Sequence, residues 1–274
     1  GDYGYAYIYF YNPAATKIVE YLPDTLAPNM ITLMGFAFSA IPAIILFSCF
    51  GTNLYNDGEE IPRWFYFLQA VSYFMYRMLD EMDGKQARRT GNSSPLGLLF
   101  DHGCDAFSTG ILCLVIAKCM QTGNSVAMDL LLIATLSSFH FCTLEEYYTG
   151  GLFLPPFNAI SDGSIGFISL FIYCGVFGNE WSQEIVYKEV RFVDVFVYVA
   201  IFINTFIVIM NIKGIFTHQK KKINYDPITN TGDITGEILV VKDLAGQIIG
   251  YVLPMSLLFG IYVLTSRSFE VMVL

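Results

Sequence analysis

The chain has 274 residues, of which 54% are apolar and only 14% are charged, a balance that excludes an ordinary soluble domain. The formal net charge of −9 disfavours nucleic acid as a partner, and we expect none. The apolar residues come in blocks too long for core helices, whereas a helix that crosses a bilayer needs about 20 of them. We therefore predict an all-α fold, a polytopic transmembrane helix bundle.

In chain order, the first predicted element is an interfacial amphipathic helix at 11–22, with Lys17 and Glu20 on its polar face. Seven membrane spans are predicted after it. They lie at 29–50, 64–80, 96–120, 126–148, 164–177, 192–215 and 244–265. We predict a single membrane domain over 1–274, consisting of an interfacial segment (1–28), catalytic helices (29–165) and additional membrane helices (166–274).

Lysine and arginine are concentrated in alternate loops, which predicts the orientation of the bundle. The richer set comprises Lys17, the group Lys85, Arg88 and Arg89, and the run Lys220, Lys221 and Lys222. Because loops of this kind face the cytosol, we expect the N-terminus and the region 80–105 on the cytosolic side.

The segment 79–106, LDEMDGKQARRTGNSSPLGLLFDHGCDA, places acidic side chains at the ends of two hydrophobic helices. Asp80 and Asp83 are three residues apart, and Asp101 and Asp105 are four apart, so each pair shares a helix face. The short loop between the helices lets them pack as antiparallel neighbours, and all four carboxylates can then converge. Their repulsion would be relieved by cations. Oxygen ligands suit Mg²⁺ or Mn²⁺, and two such ions would hold a diphosphate.

Small and basic residues surround these carboxylates. Gly84 and Gly97 leave room for a ligand to approach the backbone, and Ala87 keeps the same face clear. Arg88 is a forked donor suited to phosphate, and Lys85 is a point charge nearby. The alternative is a polar patch that satisfies helix ends through ordinary Asp–Arg pairs.

The spacing in this segment carries a resemblance. It runs Asp, two residues, Asp-Gly, two residues, Ala-Arg, eight residues, Gly, three residues, Asp, three residues, Asp. It resembles the signature of the CDP-alcohol phosphotransferase family. The longer string is similar to the eukaryotic choline/ethanolamine phosphotransferase branch, and the similarity continues at 26–36, 62–70 and 144–155. It extends over roughly the first 165 residues.

The resemblance implies a function. The four aspartates would ligate two Mg²⁺ or Mn²⁺ ions, and phosphoethanolamine or phosphocholine would pass from CDP-ethanolamine or CDP-choline to diacylglycerol with release of CMP. The resemblance implies that Gly84, Ala87 and Arg88 accommodate the CDP moiety. The full set of predicted substrate-binding residues is Asn29, Gly84, Lys85, Ala87, Arg88, Gly97, Glu145 and Tyr147. Two alternatives stay open: a relative that uses CDP-diacylglycerol and a polar alcohol, and a non-catalytic structural membrane subunit that retains the site.

The acceptor hydroxyl needs a base. His102 is the preferred candidate because neutral imidazole accepts a proton near physiological pH. Asp105 is the alternative base, and a packing role is the alternative for His102. Glu145, Glu146 and Tyr147 predict either a cradle for an ammonium headgroup or an interfacial aromatic belt.

The chain also departs from the branch. Leu144 stands where relatives usually have Trp, and the segment 158–163 reads NAISDG where many have Asn-Gly-Pro-x-Glu-Gly, which bears on headgroup selectivity. The resemblance implies about ten spans for members of the branch, against the seven predicted here, so we expect an incomplete chain or missing last helices. The resemblance also favours a location in the endoplasmic reticulum or Golgi membrane, with a mitochondrial membrane as the alternative. It further suggests that the protein forms a homodimer.

Overall fold

The computed structural model of the protein describes residues 2–55, 60–151, 154, 156, 158 and 160–217, together with the backbone of the segments 221–226 and 231–238. Helices dominate this part of the chain. They are α1 (Asn12–Val19), α2 (Pro28–Cys49), α3 (Arg63–Thr90), α4 (Pro95–Cys119), α5 (Val126–Thr149), α6 (Ser161–Phe177) and α7 (Phe192–Thr217). A π-helical segment, Tyr7–Tyr11, leads into α1, and a short 3-10 turn, Glu180–Gln183, follows α6.

Sheet structure in the described residues is limited to two antiparallel pairs. Strands β1 (Ile185–Tyr187) and β2 (Val190–Arg191) lie between α6 and α7. Strands β3 (Lys221–Asp226) and β4 (Thr231–Ile238) follow α7. The predicted all-α membrane bundle is therefore confirmed, and the described strands are short and follow α6 and α7.

Four of the described helices are long and apolar enough to cross a membrane: α2, α4, α5 and α7 up to Ile215. Helix α6 is apolar but has only 17 residues. The six predicted spans from 29 to 215 each correspond to one helix of the structure. The seventh, at 244–265, lies outside the described residues.

The second predicted span, at 64–80, corresponds to only the first part of a longer helix. Helix α3 continues for ten more residues, to Thr90, and carries the charged segment on its last turns. Charged residues were interpreted as the end of a helix, but here the helix extends beyond its apolar part. It ends where Gly91 adopts φ +69°, a conformation that favours glycine.

Helix α1 lies against α3, next to the charged segment. Its buried residues Ala15 and Val19 pack with Met78, Leu79 and Met82 of α3. The N-terminal helix predicted at 11–22 is thus present, but its α-helical part ends three residues earlier, at Val19. This packing sets α1 beside the acidic residues.

The main core lies at the opposite end of α3. Phe65 and Tyr66 are buried there with Phe171 of α6 and Val115 of α4. Helix α2 packs against both α3 and α4, while α5 packs mainly against α7 and α4. The charged C-terminal half of α3 lies outside this core. It can therefore line a polar site.

Candidate functional site

The turn between α3 and α4 positions the site. The amide of Asn92 donates to the carbonyl of Ala87 at 2.9 Å, which closes the C-terminus of α3 around Gly91. Two residues later, Ser94 caps α4 by accepting a hydrogen bond from the Gly97 amide at 3.0 Å. The chain therefore reverses within a few residues, and the two acidic helix ends come to the same place.

The structure brings the motif carboxylates together. Asp80, Asp101 and Asp105 each offer one oxygen, and these three oxygens all lie within 4.8 Å of one another. The Asp83 carboxyl is within hydrogen-bonding distance of Asp101, and that of Asp105 is within the same distance of Asp80. The four side chains thus form one continuous acidic cluster.

Two members of the acidic cluster are held by neutral donors. The Thr32 hydroxyl of α2 donates to Asp83 Oδ2 at 2.5 Å, and Asp83 is buried. The Tyr76 hydroxyl, one turn before Asp80 on α3, donates to Asp105 Oδ1 at 2.8 Å. These donors each hold one oxygen of a carboxylate and so help to fix its orientation.

The other two members differ sharply in their partners. Asp80 forms an ion pair with Arg77, which also binds Glu81 Oε1 at 3.0 Å. Asp101 Oδ1 is buried and has no hydrogen-bond partner among the residues that the structure describes. A buried carboxylate oxygen without a donor is costly unless a ligand satisfies it.

The acidic cluster fits a hard divalent cation. Its ligands are all carboxylate oxygens, the type that Mg²⁺ and Mn²⁺ prefer, and one of them lacks a protein donor. Close carboxylates also repel each other in a partly buried setting, and a cation removes this cost. When bound, such an ion would neutralise phosphate oxygens and polarise the phosphorus.

Helices α3 and α4 meet through their side chains. The Tyr76 hydroxyl of α3 reaches Asp105 of α4, and Phe65 and Tyr66 of α3 share the main core with Val115 of α4. Helix α3 also packs against α2, α6 and α1, and α4 packs against α2 and α5. The site therefore lies between α3 and α4, with α2 against both helices.

The predicted donor-binding residues lie on the last turns of α3. The Arg88 side chain is exposed and folds over Gly84, where an added Cβ would lie 3.4 Å from its Nη1. Lys85 Nζ is 5.7 Å from the centre of the Tyr7 ring. Burial raises the pKa of the Tyr7 hydroxyl, with a contribution from the negative charge of Glu81. The segment before α1 thus covers the basic edge of the site.

The remaining predicted donor-binding residues lie nearby. Ala87, half-buried, is on the same turns of α3. Gly97 faces Asn29 of α2, because an added Cβ would lie 3.5 Å from Asn29 Oδ1. The first turns of α2 and α4 are therefore in contact at the rim of the acidic cluster.

The two glutamates of α5 have separate surroundings. Glu146 Oε2 lies 3.6 Å from Nε2 of His102, so it faces the predicted base on α4. Glu145 instead faces α7. The Asn211 amide nitrogen is 3.1 Å from Glu145 Oε2 in the orientation that satisfies both groups. Tyr147 is exposed. The three residues that the sequence grouped as one cradle therefore do not share one environment.

Sequence reasoning missed the supporting residues of the site. Arg77 and Glu81 could have been noticed, because charges inside an apolar helix are rare. Tyr76 lies one turn from Asp80, a weaker signal. Thr32 gave no signal in the sequence, because a single threonine in an apolar helix is common. Only the fold brings it to Asp83.

Known proteins are similar in sequence to this chain. An uncharacterised CDP-alcohol phosphatidyltransferase class-I family protein 3 of Dictyostelium discoideum is 38% identical over 164 residues, or 59% of this chain and 40% of that protein. Choline/ethanolaminephosphotransferase 1 of Arabidopsis thaliana is 35% identical over 187 residues, covering 67% of this chain and 46% of the relative. Human ethanolaminephosphotransferase 1 is 35% identical over 189 residues, with shares of 66% and 47%.

The aligned region covers more than half of this chain but a smaller share of each relative. The aligned part spans less than half the length of each of these three relatives. Residues 25–217, which include the whole acidic cluster, match the family described as CDP-alcohol phosphatidyltransferase. The chain belongs to the CDP-alcohol phosphatidyltransferase family.

Proposed function

We propose that the protein transfers phosphoethanolamine or phosphocholine from the CDP-alcohol to the free hydroxyl of diacylglycerol and releases CMP. The observation that carries this proposal is the convergence of four carboxylates, one of them with a buried oxygen that lacks a donor. The names of the plant and human relatives supply the substrate class. The acidic cluster would hold two ions, either Mg²⁺ or Mn²⁺.

Two ions suit the pairing of the carboxylates. Asp80 lies next to Asp105, and Asp83 lies next to Asp101, so two neighbouring pairs of carboxylates lie between α3 and α4. Four carboxylate charges are balanced by two divalent cations. A diphosphate bound beside them would keep both of its phosphate groups near a positive charge.

Basic residues at the end of α3 would bind the donor. Arg88 is exposed and forked, so it can form paired hydrogen bonds with a phosphate. Gly84, under the Arg88 side chain, leaves space for the nucleotide to approach the helix. Lys85 and the aromatic ring of Tyr7 would border the same pocket. The donor is then held at the edge of the acidic cluster.

His102 and Glu146 would remove the acceptor proton. Glu146 faces Nε2 of His102 and would hold the proton on that nitrogen, which leaves Nδ1 as the acceptor. The hydroxyl oxygen of diacylglycerol then bonds to the phosphorus that carries the alcohol. The bond from that phosphorus to the bridging oxygen breaks, CMP leaves, and the hydroxyl proton moves to His102. Asp105 remains the alternative base.

Headgroup recognition is assigned to α5. Glu145, with Asn211 beside it on α7, would place a carboxylate near the ammonium group. Tyr147, which is exposed, would be a separate headgroup contact. The preference for ethanolamine or choline would then depend mainly on Glu145, which carries the charge. A cytosolic site, the endoplasmic reticulum or Golgi as the organelle and a homodimer stay predictions.

The test is a substrate assay with the full chain in lipid nanodiscs. Labelled CDP-ethanolamine and CDP-choline are supplied with diacylglycerol, with and without Mg²⁺ or Mn²⁺. We expect labelled phospholipid and CMP only with metal, and none from Asp101→Asn. Product from CDP-diacylglycerol and a polar alcohol instead would overturn the substrate assignment. A chain that binds metal but forms no product from any pair would be a structural subunit.

A further inference from the structure

An arginine lies inside the apolar part of α3, where a charge needs an explanation. Arg77 is only 5% exposed. Its Nη1 is paired with Asp80 and its Nη2 with Glu81 Oε1 at 3.0 Å, three and four residues further along the helix. One guanidinium thus connects a member of the acidic cluster with a carboxylate outside it.

The charges of this group nearly cancel. Arg77 carries one positive charge and Glu81 one negative charge, so together they leave the net charge of the acidic cluster unchanged. Neutralisation of the cluster is therefore a poor explanation for Arg77. Its fixed, planar fork is a better one, because Nη2 held by Glu81 sets the direction in which Nη1 meets Asp80.

Arg77 is itself held in place by a second element. Its Cζ lies 5.7 Å from the centre of the Tyr11 ring, at the end of the π-helical segment before α1. The Tyr11 hydroxyl is 2.8 Å from the Ser164 hydroxyl of α6, and both groups are buried. The guanidinium therefore lies between the ring and two carboxylates, and its orientation is fixed from both sides.

We propose that Arg77 is a positioning residue for the metal site. It orients the Asp80 carboxylate so that its other oxygen faces Asp101 and Asp105, and Glu81 balances the charge that this requires. The inference rests on the proposed metal-dependent function, since it concerns how one ligand of that site is held. It predicts that Arg77 affects metal affinity through geometry rather than charge.

The experiment measures metal binding without using activity. The full chain in nanodiscs is titrated with Mn²⁺ alone, and the Mn²⁺-dependent rise in Tm gives the half-saturating concentration. The variants are Arg77→Gln, Arg77→Lys and the double variant Arg77→Gln with Glu81→Gln. Arg63→Gln, at the other end of the same helix, is the matched control. Outer partners of metal ligands typically contribute about 10- to 100-fold to affinity.

We expect all three variants to need at least about tenfold more Mn²⁺ than the wild type, with no change in Arg63→Gln. The double variant decides between geometry and charge, because it restores the charge balance but not the fork. Wild-type Mn²⁺ binding in the double variant would overturn the inference. If Arg77→Gln fails to fold, the double variant and Arg77→Lys carry the test.

Failure of the proposed function gives a different result. A wild-type chain with no Mn²⁺ response, or with a response unchanged in Asp101→Asn, would overturn the metal site and the role of Arg77 together. A wild-type response that is lost in Asp101→Asn but retained at the same Mn²⁺ concentration in the Arg77 variants would overturn only the positioning role.

Discussion

The hydroxyl of Tyr76 offers a single-atom test of the site. It donates to Asp105 Oδ1 at 2.8 Å from a residue that is only 9% exposed. Tyr76→Phe removes this donor and leaves the ring in place, so the packing of α3 is preserved. Asp105 then keeps its charge but loses its only neutral donor among the contacts described for it.

The size of the effect follows from the charge on the acceptor. Hydrogen bonds to charged groups contribute about 1.5–3 kcal/mol, because a buried charge without its donor keeps the full cost of desolvation. Since 1.4 kcal/mol is a factor of ten, the loss corresponds to about 10- to 150-fold. We expect this loss to raise the half-saturating concentration of Mg²⁺ or Mn²⁺ and to lower kcat at a fixed metal concentration.

The assay measures transfer from CDP-ethanolamine to diacylglycerol at a series of metal concentrations. Tyr66→Phe is the matched control, because Tyr66 is a buried tyrosine ten residues earlier on the same helix and belongs to the main core. Equal metal dependence in Tyr76→Phe, Tyr66→Phe and the wild type would refute the view that Asp105 is held by Tyr76 for metal binding.

Three further changes test the remaining roles. Asp83→Asn should reduce transfer below about a tenth of the wild type at saturating Mg²⁺, since metal assistance contributes several kcal/mol, and higher turnover would contradict the metal assignment. Arg88→Lys should raise the KM for the CDP-alcohol, and an unchanged KM would mean that Arg88 does not contact the donor. His102→Ala should lower kcat by about 10²- to 10⁴-fold while donor binding is kept. Full kcat would favour Asp105 as the base.

The carboxylates of the site were predictable from the sequence because helix geometry is local. Spacings of three and four place side chains on one face of any helix, so Asp80 with Asp83 and Asp101 with Asp105 follow from position alone. The turn between the helices was equally local, since glycine and proline mark it. For the same reason the six spans before residue 217 were placed to within a few residues at most ends.

What the sequence could not supply is contact between elements distant in the chain. Thr32 meets Asp83 only because α2 packs on α3, and Glu146 meets His102 only because α5 packs on α4. Nothing in the spacing of Glu145 and Glu146 shows which one faces His102.

On the proposed function, the length of α3 would let one site serve a water-soluble donor and a lipid acceptor. Its 28 residues extend about 42 Å at 1.5 Å per residue, about 12 Å more than a hydrocarbon core of about 30 Å. Trp64, exposed at the start of the helix, is a residue type that marks a membrane interface. With that end at one interface, the hydrocarbon would end about 20 residues later, beside Asp83. Placed deeper, the carboxylates would have a higher cost of burial, and placed further out they would be out of reach of a lipid hydroxyl. The acidic cluster would therefore lie at a depth that both proposed substrates can reach.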